Sequence, residues 1–344
     1  MRILGISHAL PSRKVTNQEL IQTVIERSRH VLPALSPRLI QMTMHKGFKT
    51  SGTEIRYHRA NDERAIDFGM KAGRNALQLA SIQPQDIDLL IYSGVGRGWI
   101  EPATANLFQS ALGLCRATCF DVLDACASWI RSLNIAQSFI DAGNYKRIMI
   151  LNCEFNFREY ANFEIKSIQE MRTSFSAFTI GEAATATILG DEGPRDAIRF
   201  SFRTSGEKHY LCTIPLPHAE EFCENGHRAT KSMSFFTQPS ELLPFTIQQL
   251  VANVRQTNLL SLYRHDLVIG HAVSSKVSSI VAEQLGIPDA IVFETHPRFG
   301  NTVSASLPLA LSVAEMEGRL KRGMRVMLLM GSAGISTALC SFEY

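Results

Sequence analysis

Short runs rich in Ile, Val and Leu alternate along this chain with longer stretches whose apolar positions recur every three or four residues, the pattern of buried strands and amphipathic helices in an α/β fold. DIDLLIYSG (86–94) and RIMILNC (147–153) read as strands. Residues 127–142 read as the helix between them, with Ile130, Leu133, Ile135, Ala136 and Ile140 on one wide apolar face. The second half repeats the pattern: HDLVIGHAV (265–273) parallels the first strand and MRVMLLMG (324–331) the second, both displaced by roughly 178 residues. IVFET (291–295), followed by a helix from about Thr302, likewise mirrors CFDVLD (119–124), followed by a helix from Cys126. The reading is a duplicated βαβ core with halves at 1–190 and 191–344. Two unrelated α/β segments are the alternative, and they would not require a shared offset. A duplication places chemistry near the junction, on loops beside helix N-termini.

Composition narrows the class. Of 344 residues 45% are hydrophobic and 19% charged, which suits a large globular core rather than disorder. No apolar run reaches the length of about 18 residues that a membrane span needs, and the apolar part of MRILGISHALPSRK is short for a secretory segment. A cytoplasmic protein without membrane insertion is expected. Seven scattered cysteines, an odd number, suit a reducing compartment and packing roles. A formal charge of +3 gives no reason to expect nucleic acid. Lys46, Lys49, Arg56 and Arg59 lie close together, either as a face for an acidic partner or phosphate or as solvated surface.

Three residues stand out chemically. Cys126 follows a strand and opens a helix, where unpaired N–H groups and the helix dipole lower a thiol's pKa; a packing cysteine is the plainer reading. His271 sits at the end of a buried strand, as a loop-borne functional group or a hydrogen-bonded core residue. Asn301, after Gly300, occupies an N-cap position, which helix capping alone would explain.

Taken together, DVLDACAS with Cys126, GHAVSSK with His271 and GNTVSASLP with Asn301 resemble the thiolase superfamily, and within it the β-ketoacyl-ACP synthase III group, over essentially the whole chain. The resemblance implies a thiolase fold, duplicated βαβαβ halves in α-β-α-β-α layers, and a homodimer. It implies ping-pong chemistry: Cys126 attacks an acyl thioester, and His271 and Asn301 donate hydrogen bonds to the enolate of a second thioester. Its substrates would be acyl-CoA or acyl carrier protein thioesters in lipid or polyketide-type metabolism, with no separate cofactor. MGSAGIST (330–337) aligns with the family's glycine-rich turn, so the amides of Cys126 and Ala333 would form the oxyanion hole, with Ala333 where glycine is common. Lys276 falls where the family carries a basic contact to phosphopantetheine or the carrier protein; Arg56, in GTEIRYH, resembles a family segment and is a candidate for the same contact or a support of the entrance, and both read as exposed charges with solvated surface as the alternative. The presence of Cys126, His271 and Asn301 argues against a non-catalytic partner subunit. Asn301 also favours carbon–carbon bond formation over acyl transfer to an alcohol or amine.

GVGRGWIEPATANLF (94–108) contains G-x-G-x-G, but the remaining spacing and the Trp and Pro that follow do not fit a dinucleotide site. WIEPATA resembles the LEPSTA loop of olefin-pathway and α-pyrone-forming condensing enzymes, whose Glu acts as a base in the neighbouring subunit. Glu101 is therefore a candidate base for a non-decarboxylative Claisen condensation, or a cap of the helix starting near Pro102. Decarboxylative elongation with malonyl-ACP is the rival. The long segment 154–184 resembles a cap over a long-chain pocket. His218, Cys223 and His227 lack a fourth ligand at standard spacing, and no metal is expected.

Overall fold

The apolar runs form strands whose pairing carries the repeat into three dimensions. The computed structural model describes the chain apart from residues 32–36, 194–197, 224–230 and 272. Among the described residues the strands are β1 (Arg2–Ala9), β2 (Arg13–Thr16), β3 (Ile55–His58), β4 (Leu89–Ser93), β5 (Thr118–Val122), β6 (Arg147–Glu154), β7 (Ala183–Gly190), β8 (Arg199–Thr204), β9 (Cys212–Thr213), β10 (Phe236–Thr237), β11 (Leu267–Gly270), β12 (Arg325–Ser332) and β13 (Ser336–Glu343). One five-stranded sheet has the order β1-β7-β6-β4-β5 and a four-stranded sheet the order β11-β12-β13-β8. In the first, β4 and β6 are parallel with Leu89 opposite Ile148; in the second, β11 and β12 are parallel with Leu267 opposite Val326. Both members of the pair are displaced by the same roughly 178 residues, so the offset read from the apolar runs is also an offset in register.

The two sheets enclose a pair of helices. Ser128–Asp141 and Ser306–Met316 share one apolar core with β4, β6, β12 and β13, through residues such as Trp129, Leu133, Leu307 and Leu311. The second of these helices is buried from Ser306 through Ala314 and is apolar nearly all round, as a helix between two sheets must be. Helix Ala65–Ala80 covers the outer face of the first sheet, and Pro239–Thr257 with Ser275–Leu285 covers that of the second. These are five alternating layers. Strands covered on both faces read as continuous apolar runs, which is why β4, β6 and β12 are legible without alternation. No described helix is long and apolar enough to cross a membrane.

IVFET departs from its expected strand. Pro288 and the tight turn Asp289–Ile291 leave only Val292 beside Val268, as a single parallel bridge, with Phe293 N–H donating to Val268 O at 2.9 Å. The chain then turns away at His296–Phe299 toward the junction of the halves. There Asn301 N–H donates to Thr179 O at 2.9 Å and Gly181 N–H to Asn301 O at 3.0 Å. This pairing demands glycine: a Cβ on Gly181 would lie 2.1 Å from Phe299 O, and one on Gly300, at φ +67°, would lie 2.4 Å from Thr179 O. Gly300→Ala is therefore expected to destabilise the fold by about 2 kcal/mol or more, measured by chemical denaturation. An unchanged midpoint would show that the junction tolerates a side chain.

Candidate active site

Cys126 sits in a strained elbow between β5 and helix Ser128–Asp141. Ala125 has φ +44°, a conformation that costs a non-glycine residue about 1–3 kcal/mol unless its surroundings hold it. Several bonds hold it here. Ala127 N–H donates to Asp124 O at 2.9 Å, Ser128 Oγ donates to Ala125 O at 2.7 Å, and Asp124 N–H donates to Ser128 Oγ at 2.8 Å. From the other half, Ser332 Oγ accepts Ala127 N–H and donates to Asp124 O, each at 3.2 Å. One hydroxyl from the end of β12 thus grips both sides of the elbow, next to the turn that carries Ala333. Gly334, at φ +116°, takes the conformation in that turn that needs glycine, and Ala333 does not adopt a positive φ. Alanine is therefore accommodated where the family resemblance led one to expect glycine.

The electrostatics of Cys126 differ from the sequence expectation. Burial pushes its thiol well above the usual range, and the neighbouring Cys212 thiol, Glu154 and Asp124 add to the rise. Its own backbone N–H works the other way and is outweighed. A helix terminus alone suggested a preformed thiolate, but a mostly apolar cavity makes the resting group a neutral thiol.

His271 N–H donates to Leu329 O at 2.8 Å, which fixes the residue at the end of β11. The side chain is buried, and neither ring nitrogen has a hydrogen-bond partner among the described residues. Burial, then His296, pushes its pKa down to about 3, so the ring is neutral with one donor and one acceptor available. Asn301 Oδ1 accepts Val303 N–H at 2.9 Å, within a turn where Val303 is held at φ +53°. The helix itself begins at Ser306, so Asn301 caps this preceding turn and not the helix.

Cys126, His271, Asn301 and Ala333 all line one cavity of about 1250 Å³. Its outer part is bordered by Leu39, Met42 and Lys46 and by the segment Ile168–Ser174, which belongs to the stretch read as a cap. Its inner part reaches Leu250, Val281, Ile287 and Val292 beneath the outer helices of the second sheet. Cys212 adds a second thiol to the lining.

The remaining candidates fall elsewhere. Glu101 is exposed and absent from the cavity lining of the single chain. It does not cap the following helix: Thr104–Ala111 has its first N–H groups taken by Asp121, whose carboxylate accepts from Thr104 at 2.8 Å and Ala105 at 2.9 Å. Trp99 and Ile100 beside Glu101 are exposed, as is Leu123, which also lines the cavity. Lys276 is exposed in the first turn of Ser275–Leu285 and does not line the cavity. Arg56 corrects the expectation of an exposed carrier contact. It is 0% exposed, its guanidinium donates to Asn17 Oδ1 at 2.7 Å and lies 5.0 Å from the Phe48 ring centre, and burial pushes its pKa down to about 10. In the basic cluster, Arg59 is bonded to Glu159 while Lys46 and Lys49 are exposed. His227 lies outside the described residues; His218 is exposed, and among the described residues no group of three His, Cys, Asp or Glu is placed to hold a metal.

Comparisons with known proteins converge on one family. The model described as "3-Oxoacyl-[acyl-carrier-protein (ACP)] synthase III" matches residues 120–206, and its C-terminal counterpart matches 257–344, together just over half of the chain. The beta-ketoacyl-[acyl-carrier-protein] synthase III of Methylococcus capsulatus is 28% identical over 346 residues, covering 100% of this chain and 98% of that protein. That of Synechocystis is 27% identical, covering 98% and 96%. Among solved structures, Xanthomonas campestris OleA with bound lauric acid and lauroyl-CoA matches with a TM-score of 0.82 at 24% identity, covering 99% and 98% of the chains. The 3-oxoacyl-[acyl-carrier-protein] synthase III of Aquifex aeolicus matches with a TM-score of 0.80 at 22% identity, covering 100% and 99%.

Two outcomes follow from the geometry. Ser332→Ala is expected to slow acylation of Cys126 by about tenfold with little change in melting temperature, because the elbow and the Ala333 turn lose their shared hydroxyl. An unchanged acylation rate would show that the backbone alone holds the elbow. Because the folded His271 pKa is depressed below its unfolded value, the unfolded chain binds the extra proton, and this group's contribution to stability is present above about pH 6.5 and lost as pH falls toward 3. His271→Asn should therefore flatten the fall in unfolding free energy across that window, measured by denaturant titration at a series of pH values; identical slopes would contradict the assignment.

Proposed function

The chain belongs to the 3-oxoacyl-ACP synthase III family of the thiolase superfamily and is an acyl-thioester condensing enzyme, and from that premise we propose that it joins two acyl thioesters by a non-decarboxylative Claisen condensation. The observation that carries the reading is the meeting of Cys126, His271, Asn301 and Ala333 on one cavity of about 1250 Å³. That volume exceeds the roughly 300–1,000 Å³ of ordinary small-molecule sites, and its inner walls are apolar, as a long acyl chain requires.

In the first half-reaction the Cys126 thiol attacks the carbonyl carbon of an acyl-CoA or acyl carrier protein thioester. Neutral His271, with both ring nitrogens unpaired, is available to take the thiol proton. The amides of Cys126 and Ala333 would receive the tetrahedral oxyanion, donors worth roughly 10²–10³ in rate each. The carrier thiolate leaves with the proton, and the acyl group remains on Cys126. Thiol attack coupled to proton removal suits a cysteine whose thiol is neutral at rest.

In the second half-reaction another acyl thioester loses an α-proton. Its enolate oxygen accepts hydrogen bonds from His271 and from the Asn301 side-chain nitrogen, which makes no hydrogen bond among the described residues. The enolate carbon attacks the acyl-Cys126 carbonyl, the new carbon–carbon bond forms, and the Cys126 thiolate departs and is reprotonated at the expense of the α-proton that the base took up. Glu101 is the proposed base. Since it is exposed on the single chain beside exposed Trp99 and Ile100, the reading places it in the cavity of a second copy within a homodimer. The names of the relatives favour a second reading, in which malonyl-ACP supplies the carbanion by losing carbon dioxide.

Offering long-chain acyl-CoA with no malonyl thioester separates the two. The expected result is an acyl adduct on Cys126 together with a β-ketoacyl product. Glu101→Gln should keep the adduct and lose product formation by on the order of 10²-fold. No product without malonyl, together with an inert Glu101→Gln, would replace the proposal with the decarboxylative reading.

A further inference from the structure

We infer that Glu154 is a positioning residue for carbon–carbon bond formation, its buried carboxylate joining the loop that carries Glu101 to the turn that carries Asn301. The inference rests on the roles proposed above for Cys126, Asn301 and Glu101. Glu154 closes β6 and is 1% exposed. Its Oε1 accepts Val95 N–H at 3.1 Å and the Ser304 hydroxyl at 2.5 Å, and its Oε2 accepts Gly96 N–H at 2.7 Å. Val95 and Gly96 open the loop leading to Glu101. Ser304 stands three residues after Asn301, in the turn that Asn301 caps.

The loop is shaped around this carboxylate. A Cβ on Gly94 would lie 2.5 Å from Glu154 Oε1, and one on Gly96 would lie 2.5 Å from Cys153 O and 2.9 Å from Glu154 Oε2, so two glycines let the main chain close on the end of β6 and its carboxylate. Ser304 also accepts from Asn152 Nδ2 at 3.0 Å, and Asn152 Nδ2 donates to Ser93 O at 2.7 Å. The ends of β4 and β6 and the Asn301 turn therefore share one buried network. Two main-chain N–H groups face the carboxylate, and the Ser304 hydroxyl that bonds it also lies 3.2 Å from Ser93 O. Glutamine would turn an N–H₂ toward Val95 or Gly96 N–H and leave that buried amide unpaired, whereas Ser304 could turn to Ser93 O.

Glu154 does not line the cavity, so its effect would pass through what it holds. Burial raises the Glu154 pKa against the hydrogen bonds that hold it down, and in its ionised form the carboxylate opposes ionisation of the Cys126 thiol. Removing that charge should thus affect the two half-reactions in opposite directions, which general loosening of the fold would not do. In Glu154→Gln, release of CoA on mixing with acyl-CoA, read as the acylation burst, is expected to be as fast as in the parent or faster. Condensed product should form about tenfold or more slowly. Ser304→Ala keeps both main-chain bonds to the carboxylate, and should lower condensation in the same sense by a smaller factor while leaving the acylation burst intact.

The second substrate in these assays is whichever thioester the parent condenses, so failure of the non-decarboxylative reading leaves the test standing for Asn301. Acylation surviving in Cys126→Ala would overturn the earlier assignment and not this one. Parallel losses in both half-reactions, or unchanged condensation in both variants, would overturn the role of Glu154. Should Glu154→Gln fail to fold, unchanged condensation in Ser304→Ala overturns it alone.

Discussion

Two main-chain hydrogen bonds at the junction of the halves support the whole site: Asn301 N–H to Thr179 O at 2.9 Å and Gly181 N–H to Asn301 O at 3.0 Å. They fix where the Asn301 turn meets the end of the cap segment, and they exist only because Gly181 and Gly300 let the two backbones approach where a Cβ would collide. Across the same junction, Ser332 grips the Cys126 elbow and Glu154 receives Ser304. Cys126 and Glu154 belong to the first sheet's half, and His271, Asn301 and Ser332 to the second. Docking between the duplicated halves is therefore what brings Cys126, His271 and Asn301 to one cavity.

The same junction is where strain is stored. Ala125 and Val303 both hold positive φ, beside Cys126 and close to Asn301. Such conformations persist only where surrounding bonds over-determine them. The mostly apolar cavity then sets the resting protonation states. Burial raises the Cys126 thiol and depresses His271, leaving both neutral before a substrate arrives. Two neutral groups are cheaper to bury than an ion pair, and in the proposed reaction charge would appear only when an oxyanion or enolate forms.

Much of this was legible in the sequence. The duplicated core showed because strands buried on both faces are continuous apolar runs, and its offset proved to be a register. Cys126, His271 and Asn301 could be singled out because their residue types sit at strand ends and helix starts in recognisable strings, and the structure brings all three to one cavity. What was missed depended on partners far along the chain. The Ser332 hydroxyl acts on an elbow 205 positions away, and MGSAGIST by itself gives no sign of it. Arg56 looked like a surface charge because four of its neighbours in sequence are polar or charged, yet it folds inward onto Asn17 and Phe48. Asp121, and not Glu101, caps the helix after WIEPATA, because β5 brings its carboxylate to that helix start. The thiol pKa was misjudged because a helix terminus is local, whereas desolvation comes from the whole cavity.

The central claim is that this junction builds a carbon–carbon bond between two acyl chains without loss of carbon dioxide. Turnover of a single acyl-CoA labelled with ¹³C at its carbonyl, followed by ¹³C NMR of the product, tests it most directly. The account requires two labelled positions in each product, the thioester carbon and the ketone carbon, with no labelled carbon dioxide. Labelled free acid as the only product would contradict it.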